Sequence, residues 1–336
     1  MRKLSVSVHQ PEVIFDRLVS DHICRWSDPQ TVFCPQISLD ADALTHLSRA
    51  PGLTQLCFAP SATLPDEITS SGALLFSTLH ELELFSASLV PISRLLAHIQ
   101  LPAVTDFIVK FSSCPSRENI TSFLTALQPS GAGDSITTLT LTQIHRSPAI
   151  LGSDPPVLTA DDLRPSMALR NLRHISLDLG WNVGLTDAEL LELASAWPRL
   201  EHLLINEDWG WQTSGGITPD GLVGLLQTCR SLSRISLAID TRSYTETPPM
   251  RSPASLGLDL SPSFSINVVD SVIDAASVPA VAAFLANIVP SAQCSLTAWR
   301  SWAFTWRRNK KVYANRWSDV YVQAREAVAQ RPVVSG

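Results

Sequence analysis

His174 and His202 stand at the same place in two copies of one short motif, Leu172-x-His174-Ile175-x-Leu177 and Leu200-x-His202-Leu203-x-Ile205. Arg234 takes that place in a third copy, Leu232-x-Arg234-Ile235-x-Leu237. Asp178 follows the first copy, and the loops nearby supply Trp181, Asn206, Glu207, Asp208, Trp209 and Trp211. Imidazoles beside carboxylates are the groups of general acid–base chemistry and of zinc sites. A closed zinc site needs four ligands, however, and this pair of histidines has no third or fourth partner in sequence. There is no Cys-x-x-Cys, Gly-x-Ser-x-Gly, phosphate-binding Walker loop or His-Glu-x-x-His. No catalytic residue, metal or cofactor is therefore assigned, and the chain is expected not to be an enzyme. Tryptophan and arginine beside an open strand surface are instead typical anchors for a protein partner. The expected partner-binding set is His174, Asp178, Trp181, His202, Asn206, Asp208, Trp209, Trp211 and Arg234.

These residues depend on a repeating frame. The apolar-x-x-apolar-x-apolar motif also occurs at Leu53/Leu56/Phe58, Leu79/Leu82/Leu84, Val104/Phe107/Val109 and Ile136/Leu139/Leu141. Its last two apolar positions alternate with other residues, the period-two pattern of a strand that buries one face. The flanking positions, His174, His202 and Arg234 among them, are expected on the other face. Between strands, Leu158-Thr159, Leu185-Thr186 and Ile217-Thr218 each open a segment with acidic residues and then apolar residues at helical spacing. Threonine is a good helix N-cap, Thr186 with Glu189 fits a capping box, and Pro219 suits a first helical turn. Ser38 and Thr121 stand at corresponding distances before Leu53 and Ile136.

Strand and helix returning at this spacing describe an α/β solenoid with a parallel inner sheet and outer helices, its strand face concave. A doubly wound dinucleotide fold also alternates strands and helices. Here Gly131-Ala-Gly133 leads to Ile136 where that fingerprint requires glycine. The 45 leucines of this 336-residue chain then have an architectural reason.

Trp197-Pro-Arg-Leu200-Glu-His-Leu203 and Leu226-Gln-Thr-Cys229-Arg-Ser-Leu232 resemble the helix-exit turns of F-box/leucine-rich-repeat proteins. The order of pieces, ending in Val281–Pro290 and a tryptophan-rich segment, is similar to fungal F-box-like proteins. The resemblance covers about residues 36–320. It implies a leucine-rich-repeat-like solenoid that binds the substrates of a ubiquitin ligase, with a Skp-type adaptor as partner only if an F-box is present. Residues 1–35 are short for an F-box; Gln10–Leu18 faintly resembles its opening helix, and Pro29 and Pro35 break the chain after it. The asparagine that many such repeats carry after the strand is largely missing, with Asp208 and Asp240 at two such places.

The domain reading is an N-terminal segment 1–35, a solenoid 36–298 and a C-terminal helix with tail 299–336. Two proline-rich insertions, 143–157 and 241–263, interrupt the solenoid, the second as a mobile loop. Trp299–Trp317 carries six basic residues and no acidic one, which leaves the rest of the net −6 chain at −12. Trp299, Trp302, Trp306, Tyr313, Trp317 and Val320 recur at helical spacing. They are expected to form the apolar face of a helix that caps the last repeat.

The alternatives are a leucine-rich-repeat regulator of a small GTPase, for which no motif is found, and nucleic-acid binding by the basic end segment. Neither nucleic acid nor a membrane is the expected partner, since the net charge is negative and no run approaches 18 apolar residues. Scattered cysteines and no secretory signal place the expected site of action in the cytoplasm or nucleus.

Overall fold

The computed structural model describes residues 3–6, 13–69, 72–144, 156–212, 216–242, 244–301 and 309–331. The fold is α/β, built on parallel strands. It divides into two compact units, Met1–Asp154 with Asp162–Leu172, and Pro155–Asp161 with Arg173–Gly336.

The first unit runs β1 (Lys3–Ser5), α1 (Val13–Cys24), β2 (Thr31–Cys34), α2 (Ala41–Ser48), β3 (Gln55–Phe58), α3 (Leu64–Thr69) and β4 (Leu74–Leu75). It continues with β5 (Glu81–Ser86), α4 (Leu89–Leu96), β6 (Ile99–Gln100), β7 (Asp106–Phe111), α5 (Arg117–Ala126) and β8 (Thr138–Gln143). Strands β1, β2, β3, β5, β7 and β8 pair in parallel, in that order. Register aligns Val32, Leu56, Leu82, Phe107 and Leu139 in one buried row, and Cys34, Phe58, Leu84, Val109 and Leu141 in a second. Helix residues at i, i+3 and i+4 spacing complete the core: Leu44 of α2 and Leu95 of α4 share one apolar pocket with Leu56, Phe58 and Leu82. The boundary expected at residue 35 does not separate a segment from the repeats. β1 and β2 are strands of the same sheet, and α1 packs on α2. Residues 7–12, which hold part of the F-box-like stretch, lie outside the described residues.

After the single turn α6 (Ala160–Leu163), the second unit's strands and helices are β10 (His174–Asp178), α7 (Asp187–Ser195), β12 (His202–Ile205), α8 (Pro219–Thr228), β13 (Arg234–Ser236), β14 (Ser265–Asn267), α9 (Val278–Ile288), β15 (Ser295–Thr297) and α10 (Lys310–Ala329). Two short strands, β9 (Val157–Leu158) and β11 (Asn182–Val183), pair separately. Here β10, β12, β13, β14 and β15 are parallel and sequential, and Ile175, Leu203, Ile235 and Ile266 align in a buried row. Among the described residues no helix is long and apolar enough to cross a membrane.

The caps explain where helices start. The Thr186 hydroxyl accepts from the Glu189 amide while the Glu189 carboxylate accepts from Thr186 N at 2.9 Å, so the expected box closes. Thr218 caps α8 with Pro219 in its first turn, and the Asp187 carboxylate accepts from Thr218 N at 2.9 Å, which ties one helix start to the next. The caps nearer the N-terminus differ from expectation. Asp40 rather than Ser38 caps α2, and Ser116 rather than Thr121 caps α5, because each places its oxygen on the amide three residues on.

The two insertions also depart from the sequence reading. Residues 145–155 of the first lie outside the described residues. The second, 241–263, is tied down rather than loose. The Asn287 amide accepts from Arg251 N and donates to Pro249 O, at 2.7 and 3.0 Å. Gln227 donates to Leu256 O, Ser291 to Pro262 O, and Leu258 and Leu260 are buried. Prolines deny this stretch a long helix, and its described residues run through turns with one 3₁₀ turn at Pro253–Leu256.

At the C-terminal end, α10 begins only at Lys310, so the expected single helical face does not extend back to Trp299. Trp299 has φ +53° and donates its amide to Val269 O, which makes it the exit of β15. Trp302 and Trp306 lie outside the described residues. Trp317, Val320 and Ala324 are buried and α10 packs on α9. The indoles of Trp299 and Trp317 both donate to the Ser271 carbonyl, each at 2.8 Å.

A Cβ on Gly221 would overlap the Asp187 carboxylate, which Thr218 holds in place. Gly221→Ala should therefore destabilise the fold by about 1–2 kcal/mol, although alanine gains roughly 1 kcal/mol of helix propensity. Urea unfolding at equilibrium checks this; a more stable variant would show that the two caps are not coupled.

Candidate functional site

The face of β10, β12, β13, β14 and β15 opposite the buried row carries His174, His202, Arg234, Ser265 and Ser295 at one register level. His174, His202 and Ser265 are half-buried, and Arg234 and Ser295 are exposed. The strands position these side chains by alternation alone. Parallel pairing without a shift brings His174 over His202, and their rings stack at 4.2 Å with planes 17° apart. Glu201 accepts from Arg173 at 2.8 Å and lies 3.4 Å from His174 Nε2. Arg234 Nη2 contacts both oxygens of Glu207, at 3.0 and 3.1 Å, and Asn267 donates to the same carboxylate at 3.2 Å. Glu207, Arg234, Ser265, Asn267, Thr297 and Arg300 line an open cavity of about 490 Å³.

Burial, the neighbouring His174 and the Arg234 charge hold the His202 pKa below its ordinary value. His202 is therefore kept neutral, with one ring nitrogen free to accept. Solvent-exposed pairs such as Arg234–Glu207 add little to stability. What the arrangement offers is a flat imidazole pair, an oriented guanidinium and several hydroxyl and amide groups, all suited to reading a polar surface. Among the described residues no group of three His, Cys, Asp or Glu is placed to hold a metal ion.

The expected partner-binding set splits. His174, His202 and Arg234 share this face as expected. Asp208 is exposed at its margin, and Ser301 Oγ donates to the Asp208 carbonyl at 2.6 Å. Trp181, Trp209, Trp211 and Asn206 do not present a surface: they are 0%, 4%, 0% and 0% exposed. The tryptophans pack into the unit's interior, where their large rings are worth several kcal/mol each. Trp211 is further fixed by its indole on Ile205 O at 3.0 Å, and by its amide on the Asp270 carboxylate at 2.7 Å. Asn206 sits at φ +51° and accepts from Leu179 N at 3.0 Å. Its amide nitrogen donates to Trp181 O and Gly210 O, at 2.6 and 3.1 Å. Asparagine tolerates the left-handed backbone and supplies donor and acceptor together, so it locks both loops from inside.

Asp178 is also mostly buried, and accepts from Asp208 N at 3.3 Å. Burial and the adjacent Asp208 carboxylate push its pKa up to about 7. The sequence pattern does not single out Ser265, Asn267 and Thr297, which line the cavity, and it marks Arg300 only as part of the basic end segment. The alternations Phe264-Ser-Ile266-Asn-Val268 and Cys294-Ser-Leu296-Thr297 are the available signal.

No protein-family model matches this chain, and no curated protein matches it. The resemblance to F-box/leucine-rich-repeat proteins accordingly rests on the motifs alone.

The buried polar groups generate two expected outcomes. Asn206→Leu removes three hydrogen bonds and strands two carbonyls and an amide, so it should cost about 2–4 kcal/mol in thermal or urea unfolding. A loss below about 0.5 kcal/mol would deny Asn206 its locking role. Because the folded state raises the Asp178 pKa, its contribution to stability is present in acid and is lost as pH rises through about 7. Asp178→Asn keeps an acceptor and adds a donor toward Asp208. It should gain on the order of 1 kcal/mol over the native chain at pH 8 and nothing at pH 4. Parallel unfolding curves at the two pH values check the sign.

Proposed function

We propose that this chain is a non-enzymatic protein-recognition scaffold, a leucine-rich-repeat-like solenoid whose concave side is lined by the parallel strands. The observation that carries the reading is the single register level of polar side chains, His174, His202, Arg234, Ser265 and Ser295, on five consecutive strands. Their neighbours Ile175, Leu203, Ile235 and Ile266 are committed to the core, which leaves the first set free to vary with a partner. Long polar rows of this kind suit a protein ligand better than a small molecule, which favours an enclosed, mostly apolar pocket. On the motif resemblance, the partner is the substrate of an F-box-type ubiquitin-ligase receptor, and the place of action is the cytoplasm or nucleus. Docking to a Skp-type adaptor belongs to this reading only with an F-box in the full protein.

Arg234→Glu combined with His202→Ala reverses the charge of the row and removes half of the imidazole stack, at exposed or half-buried positions. Proximity labelling in cells, followed by binding of the purified candidates, should show the native chain's partners reduced at least roughly tenfold. Stability should change by less than about 1 kcal/mol. Unchanged partners at unchanged yield would remove the face from consideration. Co-elution of a purified Skp-type adaptor with the full chain tests the ubiquitin-ligase part separately.

A further inference from the structure

The helix α10 does not close the sheet's end. β15 hydrogen-bonds to β14 through Ser295 and Thr297, whose backbone groups point inward: Ser295 N donates to Phe264 O, and Thr297 O accepts from Val268 N. Alternation turns the amide and carbonyl of Leu296 outward, followed by those of Ala298. Among the described residues neither finds a hydrogen bond on that side. α10 lies on α9, and a groove of about 280 Å³ lies between it and β15. Leu296, Thr297 and Ala298 form one wall and Ala314, Trp317 and Tyr321 of α10 the other.

Unpaired strand edges are normally covered, bulged or paired. Among the described residues this one is unpaired, and Ala314, Trp317 and Tyr321 of α10 border it across the groove. Among the described residues Arg300 is the only charged one lining the groove, and Ser295, Thr297, Ser318 and Tyr321 add hydroxyls. Lys310 and Lys311 begin α10, where its dipole is also positive, and residues 299–317 include no acidic side chain. The charge complement of this edge is therefore negative.

We propose that the groove between β15 and α10 is a second recognition site, which takes an acidic peptide segment in extended conformation as an added strand. Main-chain bonds to Leu296 and Ala298 provide the register, and Arg300 selects acidic side chains. The strand is short, so charge carries much of the affinity and salt weakens it. The groove shares Ser295, Thr297 and Arg300 with the His174–Arg234 face, but only the edge site requires main-chain pairing at Leu296 and Ala298, which the methylated peptides below read separately.

The test uses the full chain and a fluorescein-labelled peptide of alternating valine and glutamate, with binding read by anisotropy. Saturable binding is expected, together with slowed hydrogen exchange at the Leu296 and Ala298 amides. The corresponding valine–lysine peptide should not bind. N-methylation of the peptide's alternate amides on one edge should abolish binding, while methylation on the other edge leaves it intact. Arg300→Glu, an exposed change whose fold is checked by circular dichroism, should weaken binding roughly tenfold. No binding, equal binding of the lysine peptide, or indifference to both methylation patterns would overturn the proposal.

Discussion

Every step of this protein depends on parallel strands meeting without a shift. At each rung apolar side chains face apolar side chains, from Val32 through Leu139 in one unit and from Ile175 through Ile266 in the other. A slip of one residue would exchange the core row for the polar row. It would place His202 and Arg234 in the interior at a cost no other contact could offset. The same constraint stacks His174 on His202 and brings Arg234 within reach of Glu207. The polar row is thus a by-product of the register that makes the core.

Features set by near neighbours are legible in the sequence. The period-two strands, the capping box of Thr186 and Glu189, and the Thr218–Pro219 helix start all arise from residues within one turn of each other. Ser38 and Thr121 mislead because Asp40 and Ser116 compete for the same role, and spacing from a distant strand cannot decide between them. The fate of the tryptophan loops is not legible, since it is settled from far along the chain. Asp270, 59 residues from Trp211, supplies the acceptor that folds the loop inward. The proline-rich stretch 241–263 likewise looks loose until Asn287, 36 residues beyond Arg251, fastens it from α9.

The polar groups divide by what they are worth. Asn206, Asp270 and Asn287 are buried and bonded, and each holds a loop whose backbone would otherwise lack partners. The pairs on the strand face are exposed and contribute little to folding. Side chains of that face can therefore be changed with little effect on folding.

One carbonyl joins the end of the sheet to the end of the chain. Ser271 O accepts from Trp299, at the exit of β15, and from Trp317, within α10, so both of its lone pairs are engaged. Helix α10 cannot lift away without stripping a partner from the carbonyl that also steadies the last strand. The two should therefore open as one cooperative unit, with amide protection in β14, β15 and α10 lost together rather than fraying inward from the C-terminus.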